Sequence, residues 1–194
     1  MIKSGHMPAF LVDRHSCGTF GGVSLALFQP TAAVERVTDI TPELVRSMQA
    51  NAVLLDVDNT LAMHGSQTPF PGTVEWAGRM QKSGISIMIM SNNFKERVAP
   101  FAALYGLPFI SMALKPLPAA YRRAIRKLGA ERKKTVAVGD QIFTDVAGAN
   151  LARVKSILLS PAMEETSLSF RIRRFLEKPI REKIAKRKRG EILK

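Results

Sequence analysis

Ala52-Val53-Leu54-Leu55-Asp56-Val57-Asp58-Asn59-Thr60 is the segment whose reading decides the fold. Its opening run is apolar without polar alternation, the pattern of a short strand buried on both faces. The strand then runs straight into acidic and polar residues. The same signature recurs outward from it, at Ile85-Ser86-Ile87-Met88-Ile89-Met90, Phe109-Ile110, Thr135-Val136-Ala137-Val138 and Lys155 to Leu159. Stretches of helical length lie between these runs: Val74 to Lys82 before Gly84, Lys95 to Tyr105 before Gly106 and despite Pro100, Pro118 to Leu128 closed by Gly129, and Asp145 to Ala152. Thr41-Pro42-Glu43 places an N-cap before a helix-opening proline, so a short helix runs from there to about Gln49. The segment Thr68 to Gly72, with two prolines and a glycine, is loop. The alternation predicts an α/β fold: an open, parallel, five-stranded sheet with helices on both faces.

Ligands of such sheets bind outside the carboxyl ends of the strands. The residues there are Asp56 to Thr60, Ser91-Asn92-Asn93, Lys115, and Gly139-Asp140-Gln141 through Asp145. A spacing of two puts the carboxylates of Asp56 and Asp58 on one side if the extended backbone persists. Two carboxylates leaving a dry strand repel one another unless a cation holds them. Mg²⁺, a hard ion that prefers oxygen ligands, meets that need, and Asp140 with Asp145 completes an acidic nest around it. Taken alone, Ser91-Asn92-Asn93 reads as a helix cap and Lys115 before Pro116 as a solvated loop residue. At strand ends beside paired carboxylates, they read as phosphate ligands.

These residues resemble the four ordered motifs of the haloacid dehalogenase superfamily of phosphohydrolases, over about residues 52–160. The resemblance implies a Rossmann-like sheet and a role for each residue. Asp56 would be the nucleophile that forms an aspartyl-phosphate, and Asp58 the acid and then the base. Thr60, Ser91 and Asn92 would bind the phosphoryl group, and Lys115 would neutralise charge. Asp140 would hold Mg²⁺ with Asp56 and the main-chain carbonyl of Asp58, and Asp145 would support Lys115 or the metal. Superfamily members often carry a cap domain after the first or second motif. Here 33 residues separate Asp58 from Ser91 and 24 separate Ser91 from Lys115, which leaves no room for one. An uncapped site is open and favours a large or surface-bound substrate. Leu27-Phe28-Gln29-Pro30, Val37-Thr38-Asp39-Ile40-Thr41-Pro42 and Gly139 to Asp145 are further similar to the YqeG-like phosphatases of subclass IIIA, over about 27–180. That group is related to mitochondrial phosphatidylglycerophosphate phosphatases. The resemblance implies dephosphorylation of phosphatidylglycerophosphate to phosphatidylglycerol. Phosphatases of soluble or nucleic-acid phosphates, and a basic RNA- or ribosome-binding protein on the same fold, are the alternatives.

The chain has 194 residues, 46% of them hydrophobic, enough for one domain with a real core. A single cysteine, Cys17, excludes a disulfide framework or a Cys-rich metal site. No apolar run is long enough to span a membrane. The net charge of +13 is concentrated at the end, where residues 171–194 hold eleven basic and three acidic residues. Apolar positions 172, 175, 176, 180 and 184 in that segment give a stripe beside a basic face, as in an interfacial helix on anionic lipid. A helix that packs on the domain and then frays into a solvated basic end is the plainer alternative. The expected organisation is a poorly structured leader over 1–26, the phosphatase domain over 27–165, and a basic amphipathic tail over 166–194. The expected location is cytoplasmic and peripheral at the inner face of the membrane, with contact through residues 170–194.

Overall fold

The computed structural model describes residues 10–11, 19–20, 23–161, 176–182 and 184–185. Most of the expected leader, residues 162–165 of the expected domain, and residues 166–175, 183 and 186–194 of the expected tail lie outside that set. Nine strands are described: β1 (Phe10–Leu11), β2 (Thr19–Phe20), β3 (Val23–Ser24), β4 (Ala32–Val34), β5 (Ala52–Leu55), β6 (Ser86–Met90), β7 (Phe109–Ile110), β8 (Thr135–Gly139) and β9 (Lys155–Leu159). The helices are α1 (Pro42–Ser47), α2 (Thr73–Lys82), α3 (Lys95–Leu104), α4 (Pro118–Leu128) and α5 (Ala147–Leu151), with a π-helical turn at Ile142–Val146. Residues 176–182 and 184–185 are also helical.

The main sheet has the order β1-β4-β9-β8-β5-β6-β7. All its pairings are parallel except β1 with β4. Six parallel strands therefore stand where five were expected, and β4 is the addition. A three-residue strand has no measurable period, and its partner β9 lies far along the chain. Thr41 caps α1 by accepting the Leu44 N–H at 3.2 Å, and Gly129 closes α4 with φ 67°, as the sequence indicates.

Alternate residues of each central strand enter different cores. Val53, Leu55, Ile87, Ile89, Val136 and Val138 pack with Val45, Trp76, Met80 and Phe101 of α1 to α3. Leu54, Met88, Met90 and Ala137 pack with Tyr121, Ala124 and Ile125 of α4 and with Ala149 of α5. Both faces are thus dry, which is why the strands read as continuous apolar runs. A third cluster joins Ile142, Val146 and Leu158 to Ile184 of the C-terminal helix, with Phe28, Ala33 and Ile180 against it. Of the apolar stripe expected to face lipid, Ile180 and Ile184 face the protein, while Leu176 is exposed. No helix among the described residues is long and apolar enough to cross a membrane.

Candidate active site

Central strand β5 lies where the chain order reverses, with β6 on one side and β8 on the other. That is the position at which open parallel sheets leave a crevice. The Asp56 N–H donates to the Val138 carbonyl at 3.0 Å, so Asp56 is the last residue held to the sheet. The chain then turns tightly. Leu61 N–H donates to Val57 at 2.8 Å, Asn59 N–H donates to Ala62 at 2.7 Å, and Asn59 takes a φ of 56°. The extended backbone does not persist past Asp56, and the two aspartates meet different partners.

Asp56 is buried, and its Oδ1 accepts the Lys115 Nζ at 2.5 Å. The same ammonium reaches Asp145 Oδ1 at 2.7 Å. Lys115 arrives on the loop after β7, which Asn92 holds in place. The Asn92 amide accepts the Lys115 N–H at 2.8 Å and donates to the Lys115 carbonyl at 3.1 Å. Asn92, expected to bind substrate, thus has its side chain engaged with the main chain of the lysine loop. Ser91 is buried at the end of β6, and its Oγ accepts the Asn93 N–H at 3.2 Å. Thr60 is buried, and its Oγ1 has no hydrogen-bond partner among the described residues, which leaves the hydroxyl free for a phosphate oxygen.

Asp140 follows β8 directly, and Asp145 folds back over Gly139 in the π-helical turn. A Cβ on Gly139 would lie 2.3 Å from the Asp145 carboxyl carbon, so only glycine leaves room for this carboxylate. Asp145 Oδ2 also accepts the Gln141 N–H at 3.2 Å. From the other side, Tyr121 donates to the carbonyls of Thr144 and Asp145 at 3.0 and 3.1 Å. π-Helical turns concentrate at functional sites, and this one aims a carboxylate at the cluster.

Oxygens of Asp56, Asp140 and Asp145 all lie within 4.8 Å of one another. Three carboxylates face one ammonium, so the fully ionised cluster carries an excess of two negative charges. Hard oxygen donors with that charge deficit fit a divalent cation such as Mg²⁺. Burial raises the Asp56 pKa to about 8 against the pull of Lys115, with Asp145 and Asp140 adding to the rise. Burial also opposes the charge on Lys115, but Asp145 and Asp56 outweigh it and hold the pKa above the ordinary lysine value. Lys115 is therefore a permanent cation here.

The Asp58 carboxylate lies outside that cluster. It accepts the Asn93 amide at 2.5 Å, the Arg97 guanidinium at 2.7 Å and the Gly65 N–H at 3.2 Å, with His64 Nδ1 at 3.3 Å. Arg97 was not singled out in the sequence; its one signal is its place in the first turn of the helix after Ser91-Asn92-Asn93. The C-terminal helix contributes a second unforeseen group. Glu177 is wholly buried and accepts the Ile142 N–H at 2.7 Å. It pairs with Arg181 at 3.0 Å, and Arg181 donates to the carbonyls of Leu159, at 3.3 Å, and of Asp140. This pair braces the backbone on both sides of Gln141. Its only trace in the sequence is a Glu–Arg spacing of four within a segment that reads as surface charge.

A family model described as haloacid dehalogenase-like hydrolase matches residues 43–153. The chain is 34% identical over 153 residues to "Probable phosphatase YqeG" of Bacillus subtilis (strain 168), covering 79% of this chain and 89% of that protein. Among solved structures, NagD from E. coli K-12 superposes with a TM-score of 0.51 at 14% identity, covering 60% of this chain and 90% of NagD. At that identity the likeness is one of fold.

Proposed function

The chain belongs to the haloacid dehalogenase-like hydrolases, and from that premise we propose that it is a Mg²⁺-dependent phosphatase that forms an aspartyl-phosphate on Asp56 and dephosphorylates phosphatidylglycerophosphate. One observation carries the chemistry: a buried Asp56 in contact with Lys115, with Asp140 and Asp145 beside it. Asp56 Oδ attacks phosphorus, the bond to the leaving oxygen breaks, and Asp58 gives that oxygen a proton. Asp58 then takes a proton from water, whose oxygen attacks the same phosphorus and frees Asp56. Lys115 offsets charge on the nucleophile and on the phosphoryl oxygens, and Thr60 and Ser91 donate to those oxygens. Asp56, Asp140 and the main-chain carbonyl of Asp58 would hold the cation, which would supply Lewis-acid polarisation of the phosphate.

The lipid substrate rests on three features. Only one helix and one strand separate successive motifs, α2 with β6 and then α3 with β7, so neither interval holds a cap domain. An open cavity of about 730 Å³ beside Thr60 is lined by Glu35, Arg36 and Thr38 on one hand and Phe70, Pro71 and Leu159 on the other, a mixed polar and apolar wall with room for a headgroup and its glycerol. The chain is strongly basic and its substrate anionic. On this reading the protein works at the inner face of an anionic membrane. Hydrolysis of phosphatidylglycerophosphate in detergent micelles should exceed that of soluble phosphomonoesters in kcat/KM, should stop with EDTA and should return with Mg²⁺. Preference for a soluble or nucleic-acid phosphate would overturn the substrate, and full activity in EDTA would overturn the metal.

A further inference from the structure

Among the described residues eight large apolar side chains are exposed, and four of them stand in two adjoining loops: Phe94 (67% exposed), Met112 (52%), Leu114 (59%) and Leu117 (54%). These are the loops that deliver Ser91 and Lys115. They are stitched to each other by Met112 N–H to the Asn93 carbonyl at 2.8 Å and Ala113 N–H to the Ser91 carbonyl at 3.0 Å. The four exposed side chains therefore share one pair of joined loops at the rim of the candidate site. Met63, also exposed, lies on the loop after β5 at the same end of the sheet.

The backbone holds part of this patch at a cost. Met112 and Leu114 take φ of 43° and 64°, the left-handed region that long side chains seldom adopt. Strained conformations of this kind persist where function requires them, and contiguous exposed apolar surface marks an interaction site. Charge identifies the partner. Residues 92–127 contain a single acidic residue, Glu96, against seven Lys and Arg; Lys115 and Arg97 are paired inside the site, and Lys95, Arg122, Arg123, Arg126 and Lys127 are exposed. Lys95 and Arg123 are exposed beside the patch, and Arg123 donates to the Met112 carbonyl at 3.4 Å. Apolar loop tips flanked by exposed cations match an anionic bilayer, whose headgroups take the charges and whose acyl boundary takes the side chains.

We infer that this rim, more than the C-terminal stripe, is the membrane-docking surface: Phe94, Met112, Leu114 and Leu117 enter the interface of an anionic bilayer and set the open site against the headgroups. The inference deepens the lipid-phosphatase reading and rests on it for biological sense, yet it can be tested without turnover. The full chain should co-sediment with phosphatidylcholine vesicles doped with phosphatidylglycerol, and much less with phosphatidylcholine alone. Phe94→Ser with Leu117→Ser should weaken binding on the order of 100-fold, as expected for two large side chains denied apolar burial. Phe94→Trp should give an emission that blue-shifts with vesicles and is quenched by brominated acyl chains. Met112→Asn should also bind less while melting no lower than the wild type, which separates docking from folding.

Vesicle binding unchanged in the double variant, or lost only on truncation after Ala185, would overturn the inference. So would an emission from the Phe94→Trp variant that is indifferent to vesicles, or retention by homopolymer RNA in place of vesicles. Rim-dependent binding without hydrolysis of lipid phosphate in micelles would leave the docking surface standing and sink the substrate. Micellar hydrolysis with no rim effect on vesicles would do the reverse.

Discussion

Arg181→Met tests the brace between the C-terminal helix and the loop that carries Asp140. Glu177 is wholly buried, and Arg181 is its cationic partner at 3.0 Å. Without the guanidinium, the buried carboxylate keeps the Ile142 N–H but loses the charge of Arg181, and the carbonyls of Asp140 and Leu159 lose a donor. Breaking one half of a buried pair costs about 3–5 kcal/mol. Arg181 is partly solvated, its side chain 21% exposed, so the low end of that range applies, about 3 kcal/mol. At about 2–4 °C per kcal/mol for a domain of this size, Tm should fall by about 6–12 °C. Glu177→Met together with Arg181→Met should recover much of the loss, because no charge is then stranded. Urea unfolding of the wild type, Glu177→Met, Arg181→Met and the double variant at neutral pH in EDTA measures the cycle. Isothermal titration with Mg²⁺ gives a second readout, since a loosened Asp140 loop should weaken metal affinity even at temperatures where Arg181→Met is fully folded. An Arg181→Met variant within about 0.5 kcal/mol of wild type, with unchanged Mg²⁺ affinity, would refute the brace.

Asp56→Asn should lower turnover on the order of 10³-fold or more and abolish the phosphoenzyme analogue formed with beryllium fluoride; near-normal turnover would remove Asp56 as nucleophile. In EDTA, stability should fall as pH rises from about 4 to about 8. The folded Asp56, with its pKa raised to about 8, keeps a proton that the unfolded chain gives up near 4, so its stabilising contribution is present at low pH and lost through the folded pKa. Urea midpoints across that range check the trend, which saturating Mg²⁺ should flatten. Gly139→Ala should cost about 1–3 kcal/mol and impair activity, because the added methyl occupies the place of the Asp145 carboxyl. Thermal melts with parallel assays measure both effects, and a silent substitution would mean that Asp145 can move aside.

The strands of the central sheet were legible because both of their faces are dry. The helices were legible because Thr41, Pro42, Pro118 and Gly129 act on neighbours in sequence. The polar residues after each strand were legible for a related reason: the fold class itself places them at one end. Contacts between distant residues were not. β4 looks like nothing until β9 supplies its hydrogen bonds, and three residues carry no period of their own. Arg97 and Asp58 stand 39 positions apart, and Ile142 and Glu177 stand 35 apart. Ile180 and Glu177 show the limit most clearly. The same letters describe an amphipathic helix facing lipid or one facing its own domain, and a charge that is solvated or one that is buried. A side chain's energy depends on what surrounds it, and those surroundings come from the packing of the whole chain. Residue type and spacing determined which groups reach the strand ends. Only the tertiary structure decided that Glu177 is a buried brace, that Asn92 holds the lysine loop, and that four exposed apolar residues share two joined loops at the rim of the site.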